Sequence, residues 1–273
     1  MQPVSLKELL PLEITWSHSG GWSMNSLIIF EDEGWNTGMV TLRDTRAQSV
    51  FHGSDFVVGQ EIAVALFGGE KARAQVLRCE TDCVELALHA RQPSQKLRPI
   101  DLVVGLSRPQ TTKKVIQAAV MAGVRSLHLV HTQSGEKSYL DSHLLRPECL
   151  RAEVVKSLEQ TGEGLFPAIH VHRSFARVSN DVLDTLGSTG PHLRLVAAPG
   201  EPLISSPTLK QECDALVIAV GSEAGWSERE LSRLKEKGFI GVGLGSRVLR
   251  VEVALLFLLG QSLFVPFAGD ITS

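Results

Sequence analysis

From residue 100 onward, short apolar runs alternate with segments of helical spacing. Asp101–Leu106, Ser126–His131, Phe166–Val171, Leu193–Ala198, Ala215–Val220 and Ile240–Leu244 read as strands. Thr111–Met121, Pro147–Thr161 and Val248–Leu259 read as helices, the first ending at Gly123. Leu193–Ala198 and Ala215–Val220 are mostly apolar on both faces, as a strand in a parallel sheet covered on both sides must be. The alternation restricts this part of the chain to an α/β fold with a parallel sheet. One more helix start is written out at Ser227-Glu228-Arg229-Glu230, where Ser227 and Glu230 satisfy each other's amides in a capping box. Leu231 and Leu234 supply its buried face, and Gly238 is placed to end it.

Residues 24–90 have a different rhythm. Leu27–Phe30, Met39–Leu42, Glu61–Leu66, Ala72–Leu77 and Val84–Leu88 are short apolar runs broken by Glu33-Gly34, Gly59-Gln60 and Gly68-Gly69. They predict a small β domain, with barrel or sandwich left open by the pattern. Arg91–Pro99, carrying Pro93 and Pro99, is the linker, and residues 100–273 form the α/β domain. Residues 1–23 match neither pattern.

Composition excludes several classes. Cys79, Cys83, Cys149 and Cys213 are too few and too scattered for a disulfide framework. Cys79 and Cys83 have no partner Cys/His pair, and His170-Val171-His172 puts two imidazoles on one strand face without a visible third ligand, so no metal is expected. Glu8 and Glu13, with Pro3 and Pro11, interrupt any secretory apolar core. Val253 to Leu259 is far shorter than the ~20 residues that span a bilayer. These features predict a cytoplasmic protein with no membrane partner. The net charge is -3, from 27 Lys+Arg against 30 Asp+Glu, so any nucleic-acid surface must be local.

Two glycine-rich loops follow late strands, at the carboxyl ends where open α/β sheets bind ligands. They are Gly221-Ser222-Glu223-Ala224-Gly225-Trp226 and Gly241-Val242-Gly243-Leu244-Gly245-Ser246-Arg247. The second begins like a dinucleotide fingerprint, but its last glycine is replaced by Ser246. No GxxxxGK[ST] occurs, which excludes a P-loop.

The run AVGSEAGWSERELSRLKEKGFIGVGLGSRVLRVEVALLFLLG resembles the signature of the RsmE family of SPOUT methyltransferases. KKVIQAAVMAGV and LEQTGEGLFPAI resemble that family's upstream segments more weakly, and residues 24–90 are similar in position to its PUA-like β-barrel domain. The resemblance implies an α/β domain with a C-terminal trefoil knot, S-adenosyl-L-methionine as cofactor, and methylation of a uridine at N3 in small-subunit ribosomal RNA. Another RNA site, or a catalytically inactive RNA- or ribosome-binding relative, is the alternative. Carried over, the cofactor pocket is Ala197, Ala198 and Pro199; Gly221, Ser222, Glu223, Ala224 and Gly225; and Leu244, Gly245, Arg247, Val248 and Leu249. Arg250 is the candidate to stabilise charge on the uracil oxygens, while no His or carboxylate is singled out as general base. The C-terminal helix is expected to build a homodimer, since Val253 to Leu259 is apolar all round.

The chain departs from the family in ways that bear on function. Ser222 and Ala224 replace a Pro and a Gly, and Ala224 fits easily only if its φ is negative. Val251 and Val253 replace two threonines. Gln48 and Ser49 replace paired histidines, while Asp55 and Glu163 stand where the family is basic and Lys137-Ser138 matches its Arg-Ser. Binding to bare RNA is therefore expected to be weak and salt-sensitive, with recognition in a ribosomal particle through Arg43, Arg46, Lys137 and Arg146.

Overall fold

A computed structural model describes residues 26–43, 47, 57–187, 190–209 and 211–267. The expectations at Arg46, Gln48, Ser49, Asp55 and residues 1–23 lie outside the described residues. Two compact units emerge, one of residues 97–150 and 167–267, the other of residues 26–96 and 151–166.

The second unit is built on five strands: β1 (Leu27–Ile29), β2 (Met39–Arg43), β3 (Glu61–Leu66), β4 (Lys71–Glu80) and β5 (Cys83–Gln92). They form a sheet ordered β1-β3-β4-β5-β2, parallel only between β1 and β3. Alternate residues of each strand point to one core: Leu27 and Ile29, Val40 and Leu42, Ile62 and Val64, Ala72, Ala74 and Val76, Val84 and Leu86. Strands at opposite ends of the order share this core, so the sheet is curled. Register shifts in the β4–β5 pairing between Lys71 and Arg73 and between Val76 and Arg78 assist the bend. Residues 151–166 belong here because Arg151 lies 4.2 Å over the Phe30 ring and 5.2 Å over Phe67. Glu163, one of the expected sign reversals, is neutralised within this unit by Lys71 at 2.5 Å and accepts from the Gln95 amide.

The other unit carries six parallel strands: β6 (Arg98–Gly105), β7 (Val124–Val130), β8 (Ala168–His172), β9 (His192–Ala197), β10 (Ala215–Val220) and β11 (Ile240–Val242). Their order is β11-β9-β10-β6-β7-β8. Every residue of β10 is buried, as its two-sided apolarity requires. The longer helices among the described residues are α1 (Pro109–Met121), α2 (Pro147–Thr161), α3 (Glu228–Glu236) and α4 (Val251–Gln261). One sheet face packs its Val103, Val196, Val217 and Ala219 against Phe175, Val178, Leu183 and the α3 residue Leu234. None of the helices is long and apolar enough to cross a membrane.

Helix α3 shows how local sequence sets its ends. The Ser227 hydroxyl accepts from the Glu230 amide at 3.3 Å, and the Glu230 carboxylate accepts from the Ser227 amide at 3.0 Å. At the other end Gly238 has φ +82, the Phe239 amide donates to Leu234 O, and the Gly238 amide donates to Lys235 O. That is a Schellman termination, with Phe239 and Leu234 sharing the core as the motif's usual apolar contact.

Helix α4 begins later than its apolar pattern suggests. Arg250 is its N-cap with extended φ/ψ of -67 and 154, and Val248 is 87% exposed in the preceding loop. An apolar residue at 248 therefore extends the pattern without extending the helix.

His128 on β7 supplies the third imidazole beside His170 and His172, but the three rings form a stacked, hydrogen-bonded group. His128 Nδ1 lies 2.9 Å from His172 Nε2, and ring centroids of His128 and His170 are 4.7 Å apart. Burial, then the neighbouring His170 and His172, push His128 down to about 3, and burial with His170 pushes His172 to about 4. The same network reaches buried Asp101, which accepts from Ser126 Oγ at 2.7 Å, Arg125 Nε at 3.0 Å and the Gly187 amide at 2.8 Å. Burial alone would raise the Asp101 pKa. The Arg125, Gly187 and Ser126 hydrogen bonds outweigh it and leave the carboxyl below its usual range.

Candidate functional site

The sheet register brings the expected site segments together. Ala197 at the end of β9 pairs with Val220 of β10 on one side and Val242 of β11 on the other. Three strands thus end level, and the loops that follow, residues 198–205, 221–227 and 243–250, leave side by side at the carboxyl edge of the sheet. The first lies directly on the third: the Ala198 amide donates to Val242 O, the Gly243 amide to Pro202 O and the Ile204 amide to Gly243 O. This crossing explains the glycines that imitate a dinucleotide fingerprint. A Cβ on Gly241 or Gly243 would collide with Glu201, whose carboxylate is held by Lys235 at 2.7 Å.

The 221–227 loop is tight. The Gly225 amide donates to Ser222 O at 2.8 Å, and a Cβ on Gly221 would sit 2.7 Å from the Gly225 carbonyl carbon. Gly225 has φ +74, the left-handed value glycine adopts freely, whereas among the described residues Ala90 alone has a positive φ without being glycine. Ala224 therefore meets the condition under which it replaces glycine without strain. Ser222 is buried and lies 3.3 Å from Thr132 Oγ1, and Glu223 accepts from the Arg108 amide at 3.1 Å. Gly105, which belongs to no motif of the sequence, ends β6 directly beneath this loop; its Cβ would approach the Gly221 carbonyl carbon to 2.8 Å.

The 243–250 loop is the open wall. Gly245 has φ +119 with nothing within 4 Å of a Cβ built there. Gly245, Arg247 and Val248 are exposed, Leu244 and Leu249 half-buried. Among the described residues, none accepts a hydrogen bond from the backbone amides of residues 244–249. Ala198 is buried, Ala197 half-buried and Pro199 exposed. Arg250 is exposed, and its guanidinium has no hydrogen-bond partner among the described residues; Glu252 pairs instead with Lys114 at 3.1 Å.

Of the basic residues expected to meet RNA, Lys137 and Arg146 are exposed in the α/β unit, and Arg43 is exposed at the end of β2. A further basic group escapes the sequence patterns. His131, Gln133, Arg173, Arg229 and Arg233 line a cleft of about 410 Å³ at the carboxyl ends of β7 and β8. The available sequence signal is Arg229 and Arg233 at i, i+4 on one helix face.

Comparison with known proteins agrees with this layout. Residues 93–262 match the RNA methyltransferase domain family. The chain is 30% identical over 232 residues to the ribosomal RNA small subunit methyltransferase E of Treponema pallidum, covering 84% of this chain and 87% of that protein. It is 20% identical over 235 residues to ribosomal RNA small subunit methyltransferase E 1 of Borreliella burgdorferi, covering 85% and 94%. The crystal structure of ribosomal RNA small subunit methyltransferase E from Neisseria gonorrhoeae bound to S-adenosyl methionine superposes with a TM-score of 0.69, at 20% identity, covering 87% of this chain and 96% of that one. The architecture, a parallel α/β unit in which the 198–205 loop crosses the 243–250 loop and a curled five-stranded β unit, is that of the SPOUT, or trefoil-knot, methyltransferases. The chain belongs to the RsmE family within them, and is an S-adenosylmethionine-dependent RNA methyltransferase.

The residues present suit that cofactor. Exposed Val248 and Leu203 offer apolar surface to an adenine ring, and the unpaired amides of residues 244–249 offer donors to its edge.

Proposed function

We propose that this protein methylates a uridine at ring nitrogen N3 in small-subunit ribosomal RNA. It would bind S-adenosylmethionine between Ala197–Pro199, Gly221–Gly225 and Leu244–Leu249. The observation that carries the site is the common level of Ala197, Val220 and Val242, which sets three ligand-facing loops against one another. The substrate follows from membership of a family whose relatives in Treponema pallidum and Borreliella burgdorferi bear small-subunit ribosomal RNA in their names. When bound, S-adenosylmethionine supplies an electrophilic methyl group on a sulfonium.

The chain's own part is positioning and charge stabilisation. Oriented reactants recover roughly 7–11 kcal/mol of a barrier. As the N3 proton leaves, negative charge spreads to the uracil oxygens, and Arg250, whose guanidinium is uncommitted to any hydrogen bond among the described residues, is the donor for it. The protein works as a homodimer in the cytoplasm: α4 buries Val251, Ala254, Leu255, Leu258 and Leu259 but leaves Leu256 at 55%, Phe257 at 53% and the following Phe264 at 70% exposure.

The test is to incubate the protein with labelled S-adenosylmethionine and undermethylated small-subunit particles, then digest the RNA and identify the modified nucleoside. N3-methyluridine at one position is expected. A methyl group on another atom or base refutes the uridine-N3 reading, and absence of transfer with intact cofactor binding favours a non-catalytic relative.

A further inference from the structure

The cleft beside the donor loops has a use of its own. Its floor comes from His131, Thr132 and Gln133 after β7 and from Arg173 and Ser174 after β8, and its side from Arg229, Glu230 and Arg233 of α3. Three guanidinia face a space of about 410 Å³.

Their commitments differ. Arg233 is held in place: Nε donates to Ser179 Oγ at 2.9 Å, and its remaining nitrogens reach Glu236 at 2.8 Å and Asn180 at 3.3 Å. Arg173 and Arg229 are exposed, and their guanidinium groups have no hydrogen bond or ion pair among the described residues. The carboxylate in the wall forms no ion pair with them. Glu230 is buried, its Oε1 taken by the Gln133 amide at 2.7 Å and its Oε2 by the Ser227 amide at 3.0 Å. His131 adds a buried Nε2 that has no partner among the described residues. Uncommitted planar donors around an open space are what a phosphate takes, because the guanidinium fork matches its oxygens.

The cleft also adjoins the donor loops. Gln133 Oε1 accepts from Ser227 Oγ at 3.1 Å, and Thr132 Oγ1 lies 3.3 Å from Ser222 Oγ. The stretch Thr132-Gln133 therefore backs the 221–227 loop while lining the cleft.

We propose that this cleft binds a phosphodiester of the substrate RNA strand, next to the nucleotide being methylated, with Arg173 and Arg229 as its principal ligands. This rests on the methyl-transfer reading above. It also gives an acidic chain a local cationic site, although Asp55 and Glu163 depart from the family's basic pattern.

The experiment compares wild type with Arg173→Ala, Arg229→Ala, the double Ala variant and the double Lys variant. The probes are a uridine-containing stem-loop RNA and the small-subunit particle, each titrated at two salt concentrations, with S-adenosylmethionine affinity measured on every protein. The double Ala variant should bind RNA about tenfold or more weakly. Its log–log salt slope should flatten by about 0.7, the value for one single-strand phosphate that is no longer neutralised. The Lys variant should recover the slope, and cofactor affinity should stay at the wild-type value. Unchanged RNA affinity and slope in the double Ala variant, while wild type binds and methylates, overturns the proposal alone. Loss of cofactor binding in that variant overturns it too, since the cleft would then serve the donor. Wild type that binds neither RNA overturns both this proposal and the reading beneath it.

Discussion

Replacing Gly105 by alanine should damage the proposed donor site without touching any ligand. A Cβ at 105 would lie 2.8 Å from the Gly221 carbonyl carbon and 3.0 Å from Ser222 Cα, and nearer still to the Ser222 amide nitrogen. All three are backbone atoms, so no side chain is able to rotate away, and either β6 or the 221–227 loop has to move by about 1 Å. Overpacking of this kind costs about 1–3 kcal/mol. For a chain of this size that lowers the melting temperature by a few degrees, at about 2–4 °C per kcal/mol. The larger effect falls on activity. A 1 Å displacement of positioning groups costs on the order of 100-fold in rate. Thermal unfolding and calorimetric titration with S-adenosylmethionine measure the two parts. A Gly105→Ala protein that melts with wild type and binds the cofactor with wild-type affinity refutes the reasoning.

Three further outcomes are expected. His128 is neutral in the fold with its pKa lowered to about 3, so it binds protons more readily when unfolded, and stability is full above about pH 6.5 and falls as the pH drops toward 3. From pH 7 to 5 the loss from His128 alone is about 2 kcal/mol, read from urea unfolding at the two pH values; equal stability at both contradicts the buried neutral ring. Arg250→Ala should lower kcat by about 100- to 1,000-fold and leave cofactor affinity near wild type, whereas a change confined to thermal stability would make Arg250 structural. Leu256→Glu with Phe257→Glu should give a folded monomer in sedimentation, and a wild-type protein that is already monomeric at micromolar concentration removes the proposed interface.

Much of the fold was legible because the central strands of the α/β unit are buried on both faces and advertise it. Ala215–Val220 is apolar throughout and proved buried throughout. The capping box at Ser227 and the glycine at 238 are local signals, satisfied within a few residues, and they set both ends of α3 where expected. What remained hidden depends on distant chain. Val248 and Leu249 continue an apolar pattern that only the exposed loop before Arg250 interrupts. His128 joins His170 and His172 through strand pairing between β7 and β8, with 40 or more residues between. The need for glycine at 105 arises from a loop more than a hundred residues later. The Arg173–Arg229 cleft likewise exists only once β8 and α3 are assembled. In the candidate site, the loop sequences were readable as motifs, while their common level came from the register of β9 with β10 and β11.

The claim on which the rest depends is that the three carboxyl-edge loops hold the methyl donor. A crystal structure of the protein soaked with S-adenosylmethionine tests it directly. The account predicts the adenosyl group between Ala197–Pro199, Gly221–Gly225 and Leu244–Leu249, with backbone amides of residues 244–249 on the adenine edge, and loss of that density in a Gly245→Val protein. Density instead in the cleft of Arg173 and Arg229, or full occupancy in Gly245→Val, contradicts it.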